Sequence, residues 1–269
     1  MDQIRIAILG AGNIGTAIAN GLVQSGRFAA PAITLTRRRV HLLEPMRAQG
    51  FDVQGDNRRA VADADVVILA VEPGQIDGLL DEVGPALVPG PHTVISVVTG
   101  VSLAHLRARL GEHLALVRAM PNTAIAVRES MTCLASSDDA ALDVARTVFA
   151  TVGTTAVIRE EDMTAATALG ACGIAFFLRA IRAASQGGIE IGFHAAEAQA
   201  IAAQTAKGAA ALLLATGRHP EQEIDRVTTP RGCTIAGLNQ MEHEGFSSAL
   251  IKGITVSAAK AARLYAGDE

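Results

Sequence analysis

The stretch Ile4-Arg5-Ile6-Ala7-Ile8-Leu9, followed by Gly10-Ala11-Gly12-Asn13-Ile14-Gly15, decides the fold. An apolar run of strand character passes directly into G-x-G-x-x-G and then into a helical stretch from Thr16 to Ser25. That spacing suits a dinucleotide. Gly10 permits the tight turn, Gly12 lets the backbone approach a pyrophosphate, and Gly15 lets helix and strand close-pack. The helix N-terminus offers free N–H groups to the phosphates, and Asn13 and Ile14, within the glycine motif, are cofactor-side candidates with it. A glycine triplet alone would say little; here the strand before it and the helix after it are both present.

The second apolar run, Ala32 to Thr36, indicates which dinucleotide. A site that prefers NAD carries Asp or Glu at the end of the second strand to hold the ribose 2′-hydroxyl. This chain instead has Arg37-Arg38-Arg39. Guanidinium forks suit the 2′-phosphate of NADP, so Arg37 and Arg38 point to NADPH, with NADH as the alternative. Three arginines opening a solvated helix would be the plainer reading of the same run.

Outward from this stretch, 269 residues suffice for one large domain or two smaller ones, with roughly 70–75% of the unfolded surface buried. Cys133, Cys172 and Cys233 are odd in number and widely spaced, which favours neither a disulfide framework nor a zinc site. With the N-terminus already reading as the first strand and carrying no leader, a cytoplasmic protein is expected. The longest uncharged apolar stretch, Ala165 to Leu178, is shorter than the ~20 residues of a membrane span. A net charge of −4 and 3% aromatic residues argue against nucleic acid as the main partner.

Further apolar runs follow at Phe51–Val53, Asp65–Val71, Thr93–Val98 and Leu114–Arg118, alternating with helical spacing at Val40–Gln49, Gly74–Leu87 and Ser102–Leu110. Such alternation predicts a doubly wound α/β domain. Met120-Pro121-Asn122-Thr123 breaks the chain at a strand's carboxyl end, where open parallel sheets bind ligands, which makes Met120 a substrate-side candidate. Strand candidates Met131–Ala135 and Thr154–Ile158 flank a helix from Asp138. Glu160-Glu161-Asp162 then marks a boundary between a Rossmann-type domain, 1–160, and an all-helical domain, 161–269. The latter is read from Ala-rich stretches at Thr164–Gln186, Ala195–Leu214 and Ser247–Tyr265. So few large side chains fill a core poorly, which points either to mutual burial between two copies or to packing on the first domain.

The seven histidines show no metal-ligand clustering and are expected as surface or cap residues. No metal is expected, and no G-x-S-x-G elbow is present. Lysine is scarce: only Lys207, Lys252 and Lys260, against 20 arginines. An enzyme that moves hydride to or from an alcohol needs a side chain to manage the hydroxyl proton, whereas a substrate carrying its own proton does not. In Val227-Thr228-Thr229-Pro230-Arg231-Gly232-Cys233-Thr234, Thr229 before Pro230 reads as a helix start. Gly232 frees N–H groups beside the Thr234 hydroxyl. Such a terminus can take a carboxylate or be an ordinary capped helix.

In sequence order, G-A-G-N-I-G, A-V-E-P (Ala70 to Pro73), M-P-N-T, A-x-Q-T-x-x-G-A (Ala202 to Ala209) and V-T-T-P-R-G-C-T resemble pyrroline-5-carboxylate reductases over almost the whole chain. The resemblance implies an N-terminal Rossmann domain, a helical C-terminal dimerisation domain often built into decamers, and NAD(P)H-dependent reduction of a cyclic imine to proline. It sets Asn57, Ala70, Val71 and Glu72 beside Gly10 to Gly15 at the cofactor. It sets Thr229, Gly232, Cys233 and Thr234 around the substrate, Thr234 being the catalytic candidate. Glu72 stands where the family commonly has Lys, and Arg231 where it has Gly. Gly170 to Phe176 lacks two hydroxyls and a phenol of the family's Ser-Gly-Ser-Gly-Pro-Ala-Tyr. The rival readings are a same-fold reductase of another cyclic imino acid or a hydroxy acid, and a non-catalytic NADP sensor.

Overall fold

Ile6 and Ile8 pack into one hydrophobic cluster while Ala7 and Leu9 pack into another, and each of the four is at most 1% exposed. A strand buried on both faces must be sandwiched between helical layers. The computed structural model, which describes residues 4–264, shows this arrangement. Strands β1 (Ile6–Leu9), β2 (Ile33–Thr36), β3 (Asp52–Gln54), β4 (Val66–Leu69), β5 (Thr93–Ser96), β6 (Ala115–Met120), β7 (Ser130–Ala135) and β8 (Gly153–Val157) form one sheet in the order 3-2-1-4-5-6-7-8.

Helices α1 (Asn13–Gln24), α2 (Glu44–Ala48) and α6 (Asp139–Phe149) supply residues to the cluster on one face. Helices α3 (Asn57–Ala62), α4 (Ile76–Val83) and α5 (Leu103–Leu110) supply the other. Val66 and Ile68 face the first layer and Val67 and Leu69 the second, the two-residue period of a pleated strand repeated one strand along. Strands β1 to β6 pair in parallel; β6 and β7 pair antiparallel. The sequence did not reveal that reversal, but its cause is plain. Only residues 121–129 join β6 to β7, fewer than a parallel crossover needs.

Ser102 and Asp138, where helices were expected to begin, cap them: Ser102 accepts from His105 N at 3.1 Å and Asp138 accepts from Ala141 N at 3.0 Å. One histidine departs from expectation. His92 is buried, and its Nδ1 accepts from Val88 N at 2.8 Å, closing the turn before β5. Burial lowers its pKa, opposed by the charge of Asp65.

By internal contacts the chain divides into one unit running through Cys172 and including the chain from Ser257, and a second comprising Gly173–Val256. The Glu160-Glu161-Asp162 segment is pinned within the first unit. Glu160 Oε1 accepts from Leu103 N at 2.6 Å and from the buried Arg118 at 3.2 Å. Burial pulls the Arg118 pKa down, and the hydrogen bond to Glu160 opposes that pull. After α7 (Met163–Ala166), residues Thr167–Cys172 form a π-helical turn within the stretch expected as plain helix. Asn122 Nδ2 donates to the Gly170 carbonyl of this turn at 3.1 Å.

The second unit is entirely helical: α8 (Gly173–Glu190), α9 (Ala195–Thr216), α10 (Pro220–Val227), α11 (Cys233–His243) and the start of α12 (Phe246–Ala261). Tyr265, the expected end of the last helical stretch, lies outside the described residues. The helical run Glu160–Glu190 is 31 residues and contains an 18-residue window of mean hydropathy 1.6, long and apolar enough by those measures to cross a membrane. It exceeds the uncharged stretch because helix continues past Arg179 and Arg182.

Candidate functional site

The turn between β1 and α1 is held by the end of β2. Gly10 N and Ala11 N both donate to Thr36 O, at 3.2 and 2.8 Å, and Gly12 N donates to Gly10 O at 2.7 Å. Gly10 has φ +92°, and a Cβ there would lie 2.6 Å from Val71 Cγ1 and 2.8 Å from Ala70 O. No other residue fits both the conformation and the space. At Gly15 a Cβ would come within 2.9 Å of Gly10 O, so the helix packs onto its own entry turn. At Gly12 nothing lies within 4 Å of the Cβ position. Glycine there leaves room for a ligand to meet the bare backbone. Because Gly12 caps α1 without a side-chain bond, the first N–H groups of the helix stay open to an anion.

That open space is a cleft of about 450 Å³ at the carboxyl ends of β1, β2 and β4, where the strand order switches direction. Gly10, Gly12, Arg37, Arg38, Asn57, Ala70, Val71 and Glu72 line it. Of the sequence-expected residues, Asn13, Ile14 and Gly15 form the first turn of α1 and do not line it. Thr36, Arg39, Gln75 and Leu79 line it without having been singled out beforehand. Arg37, Arg38 and Arg39 form no ion pair among the described residues, so three guanidinium groups stand uncompensated at one end of the cleft. Glu72 sets one exposed carboxylate on the same wall, 3.4 Å from Gln75 Nε2. An open helix N-terminus, a backbone free of Cβ atoms and unpaired arginines after β2 fit a dinucleotide carrying an extra phosphate.

The second cluster lies in the helical unit. Residues Thr229 to Gly232 form a turn closed by Gly232 N donating to Thr229 O at 2.9 Å, with Arg231 left-handed at φ 61°. The helix therefore starts at Cys233 and not after Thr229, because left-handed Arg231 interrupts helical dihedrals. A Cβ at Gly232 would lie 2.5 Å from Thr229 Oγ1, so the turn requires glycine there. Gly232 caps α11 without a side-chain bond. The N–H groups of Cys233, Thr234 and Ile235 consequently have no intrahelical acceptor. Half-buried Thr234 makes no side-chain hydrogen bond among the described residues, and neither does exposed Thr229. Cys233 is an exposed free thiol. The arrangement offers backbone donors and a free hydroxyl, the equipment for a small carboxylate.

Met120, the remaining substrate-side candidate, ends β6 in the first unit and is buried with Ala135 and Met163. Lys207 is exposed on α9. His194 and His219 cap α9 and α10, and no group of three or more His, Cys, Asp or Glu able to hold a metal occurs among the described residues.

The family model for pyrroline-5-carboxylate reductase dimerisation matches residues 160–264, and that for NADP oxidoreductase, coenzyme F420-dependent, matches residues 5–100. Pyrroline-5-carboxylate reductase 1 of Dictyostelium discoideum is 53% identical over 97% of this chain, which spans 50% of that relative's length. Pyrroline-5-carboxylate reductase 2 of the same organism is 47% identical over 97% of this chain and 93% of the relative. The solved pyrroline-5-carboxylate reductase of Coxiella burnetii superposes with a TM-score of 0.88 at 29% identity, covering 98% of this chain and 99% of that one. The chain belongs to the pyrroline-5-carboxylate reductase family of oxidoreductases.

Proposed function

We propose that the chain reduces the cyclic imine 1-pyrroline-5-carboxylate to L-proline with NADPH, the last step of proline biosynthesis. The observation that carries this is family similarity along 97% of the chain, with a phosphate-suited cleft in one unit and a carboxylate-suited helix terminus in the other. Bound NADPH would supply the hydride equivalent that the imine carbon needs. The imine nitrogen, protonated near neutral pH, takes up the electron pair of the C=N π bond as hydride adds to carbon and becomes the secondary amine, the C–N σ bond and the ring staying intact. A substrate that brings its own proton needs no lysine or histidine acid, in keeping with the scarcity of lysine.

In this reading Gly10, Gly12, Asn57, Ala70, Val71 and Glu72 line the dinucleotide's cleft, the first turn of α1 at Asn13, Ile14 and Gly15 turns its N–H groups toward the phosphates, and Arg37 and Arg38 hold the 2′-phosphate. Thr229, Gly232 and Cys233 shape the substrate turn, with Met120 on the substrate side. The open N–H groups of α11 bind the carboxylate, and the Thr234 hydroxyl accepts from the iminium N–H or donates to the carboxylate. The protein contributes position more than acid–base chemistry. Its functional division falls at residue 160, the cofactor being held by 1–160 and the substrate and partner contacts by 161–269. The test is NADPH oxidation with 1-pyrroline-5-carboxylate beside pyrroline-2-carboxylate and a six-membered cyclic imine. The first should show the highest kcat/KM. Preference for either of the others overturns the substrate, and tight NADPH binding without turnover on any of them favours a sensor.

The chain works as a homodimer joined through the helical unit, with assembly to a decamer, in the cytoplasm. The family's dimerisation model covers that unit, and Phe177, Leu178, Ile191, Leu214 and Ile251 within it are each more than half exposed. So much exposed apolar surface calls for a cover, and the dimerisation match supports a second copy as that cover. Three free cysteines are consistent with a reducing compartment. Sedimentation of the full chain should give a dimer or a larger species, ten chains in the decamer, in the soluble fraction of its native cells. A monomer with full activity, or recovery with membranes, would contradict it.

A further inference from the structure

A line of three side chains runs from the cleft wall to a residue outside it. Thr36 Oγ1 donates to Asn57 Oδ1 at 2.6 Å, and Asn57 Nδ2 donates to Glu82 Oε2 at 3.1 Å. Thr36 and Asn57 line the cleft; Glu82, on α4, does not.

We propose that Glu82 is a positioning residue for the cofactor, fixing which atoms of Asn57 face the cleft; the proposal rests on the reading of that cleft as the dinucleotide site. An ionised carboxylate can only accept hydrogen bonds. Asn57 must therefore aim its NH₂ group at Glu82, which turns Oδ1 toward Thr36. The Thr36 hydroxyl can donate or accept, and facing Oδ1 it donates. Rotating the amide by half a turn would set Oδ1 against the carboxylate, two acceptors in contact, and would take the acceptor from a hydroxyl on a residue only 1% exposed.

One orientation is thus enforced. The second Nδ2 proton and the second lone pair of Oδ1 remain for a ligand. Thr36 also joins this line to the phosphate turn, because its carbonyl is the acceptor for Gly10 N and Ala11 N. The side chains that orient Asn57 and the backbone that shapes the glycine turn therefore meet at one residue at the end of β2.

The test is a double-mutant cycle on the full-length protein, read by fluorescence titration of NADPH and by steady-state kinetics. Glu82→Ala should raise the Kd and KM for NADPH about three- to tenfold, the loss of roughly one hydrogen bond's worth of orientation. At saturating NADPH, kcat should move by less than about twofold. Glu82→Gln, which keeps an acceptor of the same shape, should lose less than Glu82→Ala and supplies the reading should the alanine variant fold poorly. Asn57→Ala should weaken NADPH by at least as much. The double variant should be no weaker than Asn57→Ala alone, since an orienting residue has nothing to orient once the amide is gone. Losses that multiply in the double variant overturn the proposal and make Glu82 merely structural. Loss in Asn57→Ala with wild-type affinity in Glu82→Ala overturns it while leaving the cleft assignment standing. An unchanged NADPH affinity in Asn57→Ala overturns both.

Discussion

Replacing Thr234 with alanine is expected to lower kcat/KM on the best imine substrate by about ten- to a hundredfold. The hydroxyl sits in the first turn of α11, makes no side-chain hydrogen bond among the described residues, and neighbours backbone N–H groups that lack intrahelical acceptors. A hydrogen bond to a charged partner contributes roughly 1.5–3 kcal/mol. Each 1.36 kcal/mol of transition-state stabilisation is about tenfold in rate. Thr234→Ser keeps the hydroxyl and should retain most of the activity. NADPH affinity should be unchanged in both variants, because the residues lining the dinucleotide cleft all belong to the other unit. Wild-type kcat/KM in Thr234→Ala would reduce the Thr229–Thr234 turn to an ordinary helix start and send the search for the substrate site elsewhere.

What the sequence disclosed about this architecture was local and repetitive. The buried parallel strands were legible because burial on both faces leaves an unbroken apolar run, as in Val66 to Leu69. The glycine turn between β1 and α1 was legible because its glycines are bound to fixed spacing by backbone geometry. That Arg37 and Arg38 line the cleft was legible by position alone, one and two residues past the end of β2. Features set by non-local geometry were hidden. The direction of β7 follows from a short connection that no periodicity encodes. The burial of His92 follows from a turn whose backbone N–H, at Val88, needed an acceptor. The π turn at Thr167–Cys172 interrupts what reads as continuous Ala-rich helix. The bonds joining Thr36, Asn57 and Glu82 span 21 and 25 residues, and only folding shows that they meet.

The Thr229–Gly232 turn failed to read correctly for a different reason. Thr229-Pro230 has the residues of a helix start, and proline's fixed φ suits the first helical position. Arg231 overrides it by taking a left-handed conformation at φ 61°, which moves the start to Cys233. The family's glycine at that place would adopt the same conformation without a Cβ penalty. The arginine thus keeps the shape of the turn while adding a side chain to it, and the open first turn of α11 survives the departure from the family pattern.

Replacing both Arg37 and Arg38 with alanine should raise the KM for NADPH about ten- to a hundredfold and leave that for NADH within about twofold. The two cofactors differ only in the 2′-phosphate, so a loss confined to NADPH isolates the contact with that group. Charge-assisted bonds between guanidinium and phosphate are among the stronger hydrogen bonds. Arg38 is exposed and Arg37 half-buried, however, so solvent screening keeps the pair below the sum of two fully buried contacts. Neither arginine has an ion-pair partner among the described residues, so the substitutions strand no buried carboxylate and should leave stability nearly unchanged. The same screening gives a second signature. Raising ionic strength should erode the wild-type preference for NADPH and have little effect on the doubly substituted enzyme. Equal losses for NADPH and NADH would mean that the arginines support the cleft without reading the phosphate, and the cofactor preference would have to be sought among Thr36, Arg39 and Gln75 on the same wall.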